Sequence, residues 1–310
     1  MFTKTKSYID DLEVLTYKNF HSENAFSIVP GFGALITSLE LGGENILDRP
    51  KHAELAQNPA FKTSLLAPFA NRVNHGTYSF REQTYHLPVN EKARDNAIHG
   101  FVYKQNFELI KETLTTDHVI IELKSNYTGD QPGYPFRFET YFIVELNKED
   151  GLSCTLRFVN TGNTDMPLVA GWHPYYSLNA DVDQILMKLP QGEIIEVDNR
   201  MIPTGKLNEY HTFDRLIPIG DQSFDNIFRL TSSHERAKII LKNPENEITL
   251  EAWQEPELFK YWIIYTPPGR KSIAIEPMSG NIDAFNNKAG LVVIKPGKEV
   301  SGKFGVKRIG

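Results

Sequence analysis

The sequence predicts an all-β fold of antiparallel sheets, and three observations carry that expectation. The first is a two-residue hydrophobic period. Over residues 136–146 the even positions read Phe, Phe, Thr, Phe, Val, Leu, while the odd ones include Arg137, Glu139 and Glu145. Alternation of this kind marks a strand with one buried face. The second is the spacing of turn residues: 21 glycines and 18 prolines punctuate the chain throughout instead of gathering in one linker. The third is that no stretch keeps a helical period for three turns. A chain of 310 residues would ordinarily suggest two domains at about 150 residues each, but an all-β sandwich accommodates this length as one. We therefore expect a single domain over residues 1–310.

Element by element, Gly31-Phe-Gly33 reads as a turn, because no third glycine follows at the spacing of a dinucleotide fingerprint. Residues 51–57 make at best a short helix. Residues 78–80 and 85–87 flank a short polar turn, as a hairpin does. The strand at 136–146 is followed by a five-residue polar loop, Asn147 to Gly151, and by a second alternating strand. That strand places Leu152, Cys154, Leu156 and Phe158 on one side, with Ser153, Thr155 and Arg157 on the other. Cys154 is accordingly a small core residue. Residues 238–241 and 247–253 flank Asn-Pro-Glu-Asn, and 261–266 and 272–276 flank Pro-Pro-Gly-Arg-Lys, so two more hairpins are expected.

Composition excludes several function classes. The formal charge is −6, from 33 basic and 39 acidic residues, which disfavours nucleic acid or an anionic membrane as the main partner. A single cysteine leaves no disulfide framework and no cysteine-based zinc cluster. The opening Met-Phe-Thr-Lys-Thr-Lys-Ser-Tyr-Ile-Asp-Asp lacks the apolar stretch of a signal peptide, and no apolar run approaches the roughly 18 residues of a membrane span. A cytoplasmic protein is the expectation. Gly297 to Lys303 nearly matches a phosphate-binding loop, but Phe304 stands where Ser or Thr would meet magnesium and too few residues follow for the required helix.

Five positions carry candidate chemistry. His173 lies between Trp172 and Pro174 after the apolar run 166–169, so its ring is held either as a core histidine donating to a carbonyl or as a catalytic group. Glu276 shares a strand face with Ser272 and Ala274, opposite Ile273 and Ile275. Its small neighbours leave room beside the carboxylate, and Pro277 is expected to end the strand's hydrogen bonding. The alternative is a solvated glutamate on an outer face. Arg72 follows the apolar stretch Leu66-Ala-Pro-Phe-Ala-Asn71, and a buried guanidinium needs a partner, either a structural carboxylate or a ligand hydroxyl. His99, before Gly100, is open in the same way. Asp225, between Phe224 and Asn226, serves either as a turn or cap residue or as an acceptor for ligand hydroxyls.

Taken in order, Pro68-Phe-Ala-Asn-Arg72, Gly76-Thr-Tyr78, Asn96-Ala-Ile-His99-Gly100, Trp172-His173-Pro-Tyr-Tyr176, Phe224-Asp225 and Glu276-Pro-Met resemble the aldose 1-epimerase (galactose mutarotase) family. The resemblance runs from Gly31-Phe-Gly-Ala to Asp283-Ala-Phe-Asn286. It implies a β-supersandwich with a sugar-binding cleft, His173 as general acid and Glu276 as general base. It also implies that Arg72, His99 and Asn71 hold the sugar beside its anomeric centre, that Asp225 bonds ring hydroxyls, and that Trp172 and Tyr175 stack on the sugar. The implied partner is a small-molecule sugar, with no cofactor and no metal, on a monomer or homodimer. The chain departs from well-known members at Phe101, where they carry a second glycine, and at Trp-His-Pro-Tyr-Tyr, where they often read Asn-His-Ser/Thr-Tyr-Phe. In both it resembles less characterised relatives. A hexose-6-phosphate epimerase, a carbohydrate-binding protein and a two-carboxylate glycosidase are the rival readings.

Overall fold

The computed structural model describes residues 1–50, 55, 57–231 and 236–309. Most of these lie in antiparallel strands, and among the described residues the only α-helix is the four-residue Ala284–Asn287. The short helix expected at 51–57 falls largely outside the described residues. No helix among them is long and apolar enough to cross a membrane.

Three sheets make up the frame. A five-stranded meander runs in chain order through Phe2–Ile9, Leu12–Asn19, Asn24–Val29, Leu35–Leu41 and Glu44–Asn45. A nine-stranded sheet begins with Glu108–Leu114, His118–Tyr127, Phe138–Asn147 and Gly151–Asn160. It then takes in the last strand, Glu299–Arg308, before Thr249–Gln254 and Ala237–Lys242. An eight-stranded sheet holds Gly192–Val197, Asp225–Leu230, Tyr261–Tyr265 and Ile273–Met278, with the short strands Gly171–Trp172 and Leu65–Leu66 beyond.

The hairpin Phe138–Asn147 with Gly151–Asn160, inside the nine-stranded sheet, shows why these residues take this form. Phe138, Thr140, Phe142, Val144 and Leu146 are all buried, as are Leu152, Cys154, Leu156 and Phe158 opposite them, and the intervening residues are partly exposed. Burying each Leu or Phe contributes about 1.5–3 kcal/mol, and a slip of one residue would turn the whole set to water. Burial also pushes the Cys154 thiol well up, which fits a core residue. Gly151 closes the loop at φ +67°, and an added Cβ would stand 2.4 Å from the Val306 carbonyl oxygen. Only glycine fits there.

The two large sheets share one apolar core. Trp172 from one stacks on Phe304 from the other, with ring centroids 5.2 Å apart. The near match to a phosphate loop is a turn at Gly297 leading into the ten-residue strand Glu299–Arg308. Pro277 does not end its strand, which continues to Met278. Ile275 and Ser279 both donate to the 170–174 segment, at Pro174 and Ala170. The imide nitrogen of 277, between them in the alternation, faces that side, so the ladder to Tyr261–Tyr265 survives.

Candidate functional site

Register across the eight-stranded sheet builds the floor of a pocket. Asp225 pairs with Tyr265, Tyr265 with Ala274, and Ala274 with Tyr175. One step along, Ile227 pairs with Ile263, and Ile263 with Glu276. Residues directly opposite in antiparallel strands share a face, and so do residues two apart. Asp225, Tyr265, Ile263, Tyr175 and Glu276 therefore project to one side. They line an open pocket of about 280 Å³ with Arg72, Asn71, His99 and His173.

His173 enters where the 171–176 segment breaks between its two short strands, Gly171–Trp172 and Tyr175–Tyr176. Its N–H donates to the Ser64 carbonyl at 3.0 Å, and its carbonyl accepts from Thr63 at 2.8 Å. With the backbone thus anchored and Pro174 unable to extend the ladder, the imidazole points into the pocket. Tyr175 lies parallel to it at 5.0 Å, and His99 meets it edge-on at 5.3 Å. Nε2 of His173 stands 3.4 Å from Oε1 of Glu276. Nδ1 of His173 and Oε2 of Glu276 are buried without a hydrogen-bond partner among the described residues. Burial raises Glu276 well above the usual carboxylate range, helped by Asp225 and opposed by Arg72. Burial likewise lowers His173, to about 3. Both shifts favour the neutral forms, so the pair holds one proton between two groups.

Trp172 is not in the pocket, contrary to expectation. In an extended chain its neighbour His173 takes the pocket side, so the indole turns into the core. There it packs on Phe304 and donates Nε1–H to the Thr63 carbonyl at 2.9 Å. The aromatic walls the pocket does present include Phe61, edge-on to His99 at 4.6 Å, and Tyr265. Neither stood out in the sequence: Phe61 falls between strands and Tyr265 reads as an ordinary strand residue.

Arg72 finds a carboxylate as its partner. Nε and Nη2 donate to the two oxygens of Glu91, each at 2.9 Å, and Nη1 donates to Asn71 Oδ1 at 3.1 Å. Three of the five guanidinium N–H groups are thereby used. Asn71 has φ +59°, and its N–H donates to Nδ1 of His99 at 3.3 Å. His99 is therefore a neutral imidazole with its proton on Nε2, consistent with a pKa lowered by burial, then by His173 and Arg72. Asp225 is open through the pocket mouth, yet the surrounding walls desolvate its carboxylate and raise its pKa, against Arg72 and Arg94.

The structure thus brings His173, Glu276, Arg72, His99, Asn71, Asp225 and Tyr175 to one pocket and leaves Trp172 out. Glu91 and Arg94 went unnoticed in the sequence, where Asn-Glu-Lys-Ala-Arg-Asp reads as a solvated charged loop. The requirement that a buried arginine have a partner was the one signal pointing to a carboxylate. Among the described residues no three His, Cys, Asp or Glu side chains are grouped to hold a metal ion.

The family model for aldose 1-epimerase matches residues 16–307. The chain is 27% identical over 241 residues to the uncharacterized protein YihR of Escherichia coli, covering 76% of this chain and 75% of that one. A galactose mutarotase-like protein from Clostridium acetobutylicum shares the fold with a TM-score of 0.89 at 20% identity, over 99% of both chains. Galactose 1-epimerase from Lactobacillus acidophilus superposes with a TM-score of 0.81 at 17% identity, over 99% of this chain and 98% of that one.

Proposed function

The chain belongs to the aldose 1-epimerase family, and on that premise we propose that it interconverts the α and β anomers of an unphosphorylated hexose, with Glu276 as base and His173 as acid. The observation that carries the reading is the buried imidazole–carboxylate pair, 3.4 Å apart at the pocket. Glu276 takes the proton from the C1 hydroxyl, the C1–O1 bond becomes a carbonyl, the C1–O5 bond breaks, and O5 takes the proton of His173. The aldehyde turns about C1–C2, and the ring recloses on its other face as both protons return. Each placed acid or base contributes about 10²–10⁴ in rate. Ring opening leaves Glu276 protonated and His173 neutral, the same neutral pair that burial favours. The desolvated pocket thus lowers the free energy of the ring-open state relative to the closed one. Before opening, Arg72 offsets the charge on Glu276.

In this reading His99 donates Nε2–H to the sugar, Arg72 presents its two remaining N–H groups, and Asn71 and Asp225 meet hydroxyls. Tyr175 backs the imidazole of His173, and Phe61 supplies the apolar wall first expected of Trp172. Charge favours a neutral sugar over a phosphorylated one. The cations lining the pocket among the described residues, Arg72 and Arg94, both pair with Glu91, while Asp225 and Glu276 present carboxyl groups. A phosphate dianion there would face carboxylates with no unshared cation to meet it.

Anomer exchange followed by NMR across free and 6-phosphorylated hexoses tests this. Glu276→Gln and His173→Asn are each expected to lower kcat by at least about a hundredfold with folding preserved. Methyl hexosides lack the C1 hydroxyl proton, so they are expected to be neither interconverted nor cleaved. Methanol release would mark a glycosidase, and binding without exchange of any sugar would mark a carbohydrate-binding protein.

A further inference from the structure

Glu91 lies outside the lining of the pocket yet accepts four hydrogen bonds through one carboxylate. Two come from Arg72 in a parallel fork at 2.9 Å, one from Arg94 Nη1 at 3.0 Å, and one from Asn96 Nδ2 at 3.1 Å. The Arg72 and Glu91 side chains are only 8% and 14% exposed, so the pair is weakly screened. Burial alone would raise the Glu91 carboxyl, but the bonds from its partners outweigh that and lower it.

The turn that carries Glu91 is itself pinned. Glu91 and Asn96 bond each other's backbone at 3.0 and 3.3 Å. Arg200, from the connection between Gly192–Val197 and Pro203–Glu209, then clasps it from outside. Its guanidinium donates to the carbonyls of Arg94 and Asp95, each at 3.0 Å, and to the side chains of Asn96 at 3.2 Å and Asn74 at 2.8 Å. Asn96 returns a bond to the Arg200 carbonyl at 3.0 Å. A carboxylate held this firmly can fix both the direction and the charge of the guanidinium it grips.

We propose that Glu91 is a positioning residue for Arg72, aiming its two unshared N–H groups at the substrate and supplying the countercharge that keeps Arg72 from closing on Glu276. The proposal rests on the reading of the pocket as the site of ring opening. Arg94, Arg200 and the His75–Asp95 pair face Glu91 on the outer side. On the inner side Glu276 shares the pocket with His173, Asp225, Tyr175, Tyr265, His99 and Arg72.

Two measurements test it. In the sugar-free protein, the Nε–H signal of Arg72 is identified in ¹⁵N–¹H spectra by its loss in Arg72→Lys. Its exchange with water is expected to quicken at least about tenfold in Glu91→Gln, because the fork is lost. Unchanged exchange would overturn the proposal whatever the protein's activity. In kinetics, Glu91→Gln is expected to reduce kcat at least about tenfold and to move the whole kcat/KM profile about half a pH unit or more lower, since an unpaired Arg72 favours the ionised carboxylates and disfavours imidazolium. Glu91→Asp keeps the charge, so it is expected to keep the profile in place while lowering kcat. A loss of kcat with an unmoved profile in Glu91→Gln would reduce Glu91 to a structural role. Should Glu91→Gln fail to fold, Glu91→Asp decides alone: a displaced profile there would equally sink the proposal. Absence of exchange by the wild-type protein on every sugar would instead defeat the functional reading, leaving the spectroscopic result standing.

Discussion

Single residues decide how one proton is shared. Burial pushes Glu276 up and His173 down to about 3. The singly protonated pair, which the proposed mechanism requires, then persists from far below the ordinary histidine pKa to well above the ordinary glutamate one. The sign is direct: the pair gains its second proton only when pH falls towards the depressed His173 value, and loses its last only when pH rises through the elevated Glu276 value. We expect kcat/KM to stay flat through pH 6.5 and to retain most of its plateau at pH 5. An acidic limb centred near pH 6.5 would show an ordinary solvated imidazole and contradict the buried pair. Residue types made His173 and Glu276 legible as candidates in the sequence. Their mutual distance was not legible, because 103 positions separate them and only the register of Tyr175 on Ala274 and Ile263 on Glu276 brings them together. Trp172 misled for the converse reason: an indole beside a candidate histidine suggests a sugar platform, but strand alternation sends adjacent side chains to opposite faces.

Elements with one wet face announced themselves by alternation, whereas those buried on both faces were legible only where turn residues bracket them, as at Tyr261–Tyr265 and Ile273–Met278. The hairpin Phe138–Asn147 with Gly151–Asn160 alternates cleanly and was expected within two residues of its observed ends. Asn24–Val29, with five of six residues buried, gives no such pattern, and neither do the two-residue strands Leu65–Leu66 and Gly171–Trp172. Yet these short pieces hold the pocket wall. The Ala67 carbonyl accepts from Phe101 and Val102 at 2.9 and 3.1 Å, tying the segment before Arg72 to the one after His99. Gly100 makes that closeness possible: at φ +65°, an added Cβ would stand 2.1 Å from the Ala67 oxygen. Gly205, at φ +90°, has nothing within 4 Å of the same point. Gly205→Ala should therefore cost roughly 1–2 kcal/mol of backbone strain alone. Gly100→Ala adds backbone overlap, which typically costs a further 1–3 kcal/mol, and should also lower anomer exchange by displacing His99. Urea unfolding of the two variants side by side checks this; equal losses would mean that the Ala67 contact relaxes freely.

At the scale of the whole molecule, we infer that the described residues fold as one cooperative unit, because the chain's last strand sits in the middle of its largest sheet. Glu299–Arg308 pairs with Gly151–Asn160 on one side and with Thr249–Gln254 on the other, so it joins halves of the nine-stranded sheet that are far apart in sequence. Its Phe304 also underlies Trp172, the residue before His173, which links this strand to the pocket across the core. Deleting residues 299–310 would cut the sheet in two and expose two long strand edges, Gly151–Asn160 and Thr249–Gln254, each lacking a partner. It would also uncover the apolar face that Phe304 and Val306 cover, both fully buried in the intact protein. Edges and faces of that kind favour aggregation over a smaller native state. The truncated chain is therefore expected to lose near-UV circular dichroism, to bind ANS and to show no anomer exchange. The intact protein should melt in a single transition, with far-UV signal, near-UV signal and activity lost together. A truncated chain that stays soluble and unfolds cooperatively would show that the sheet's halves stand alone, and the inference of one unit would fall with it.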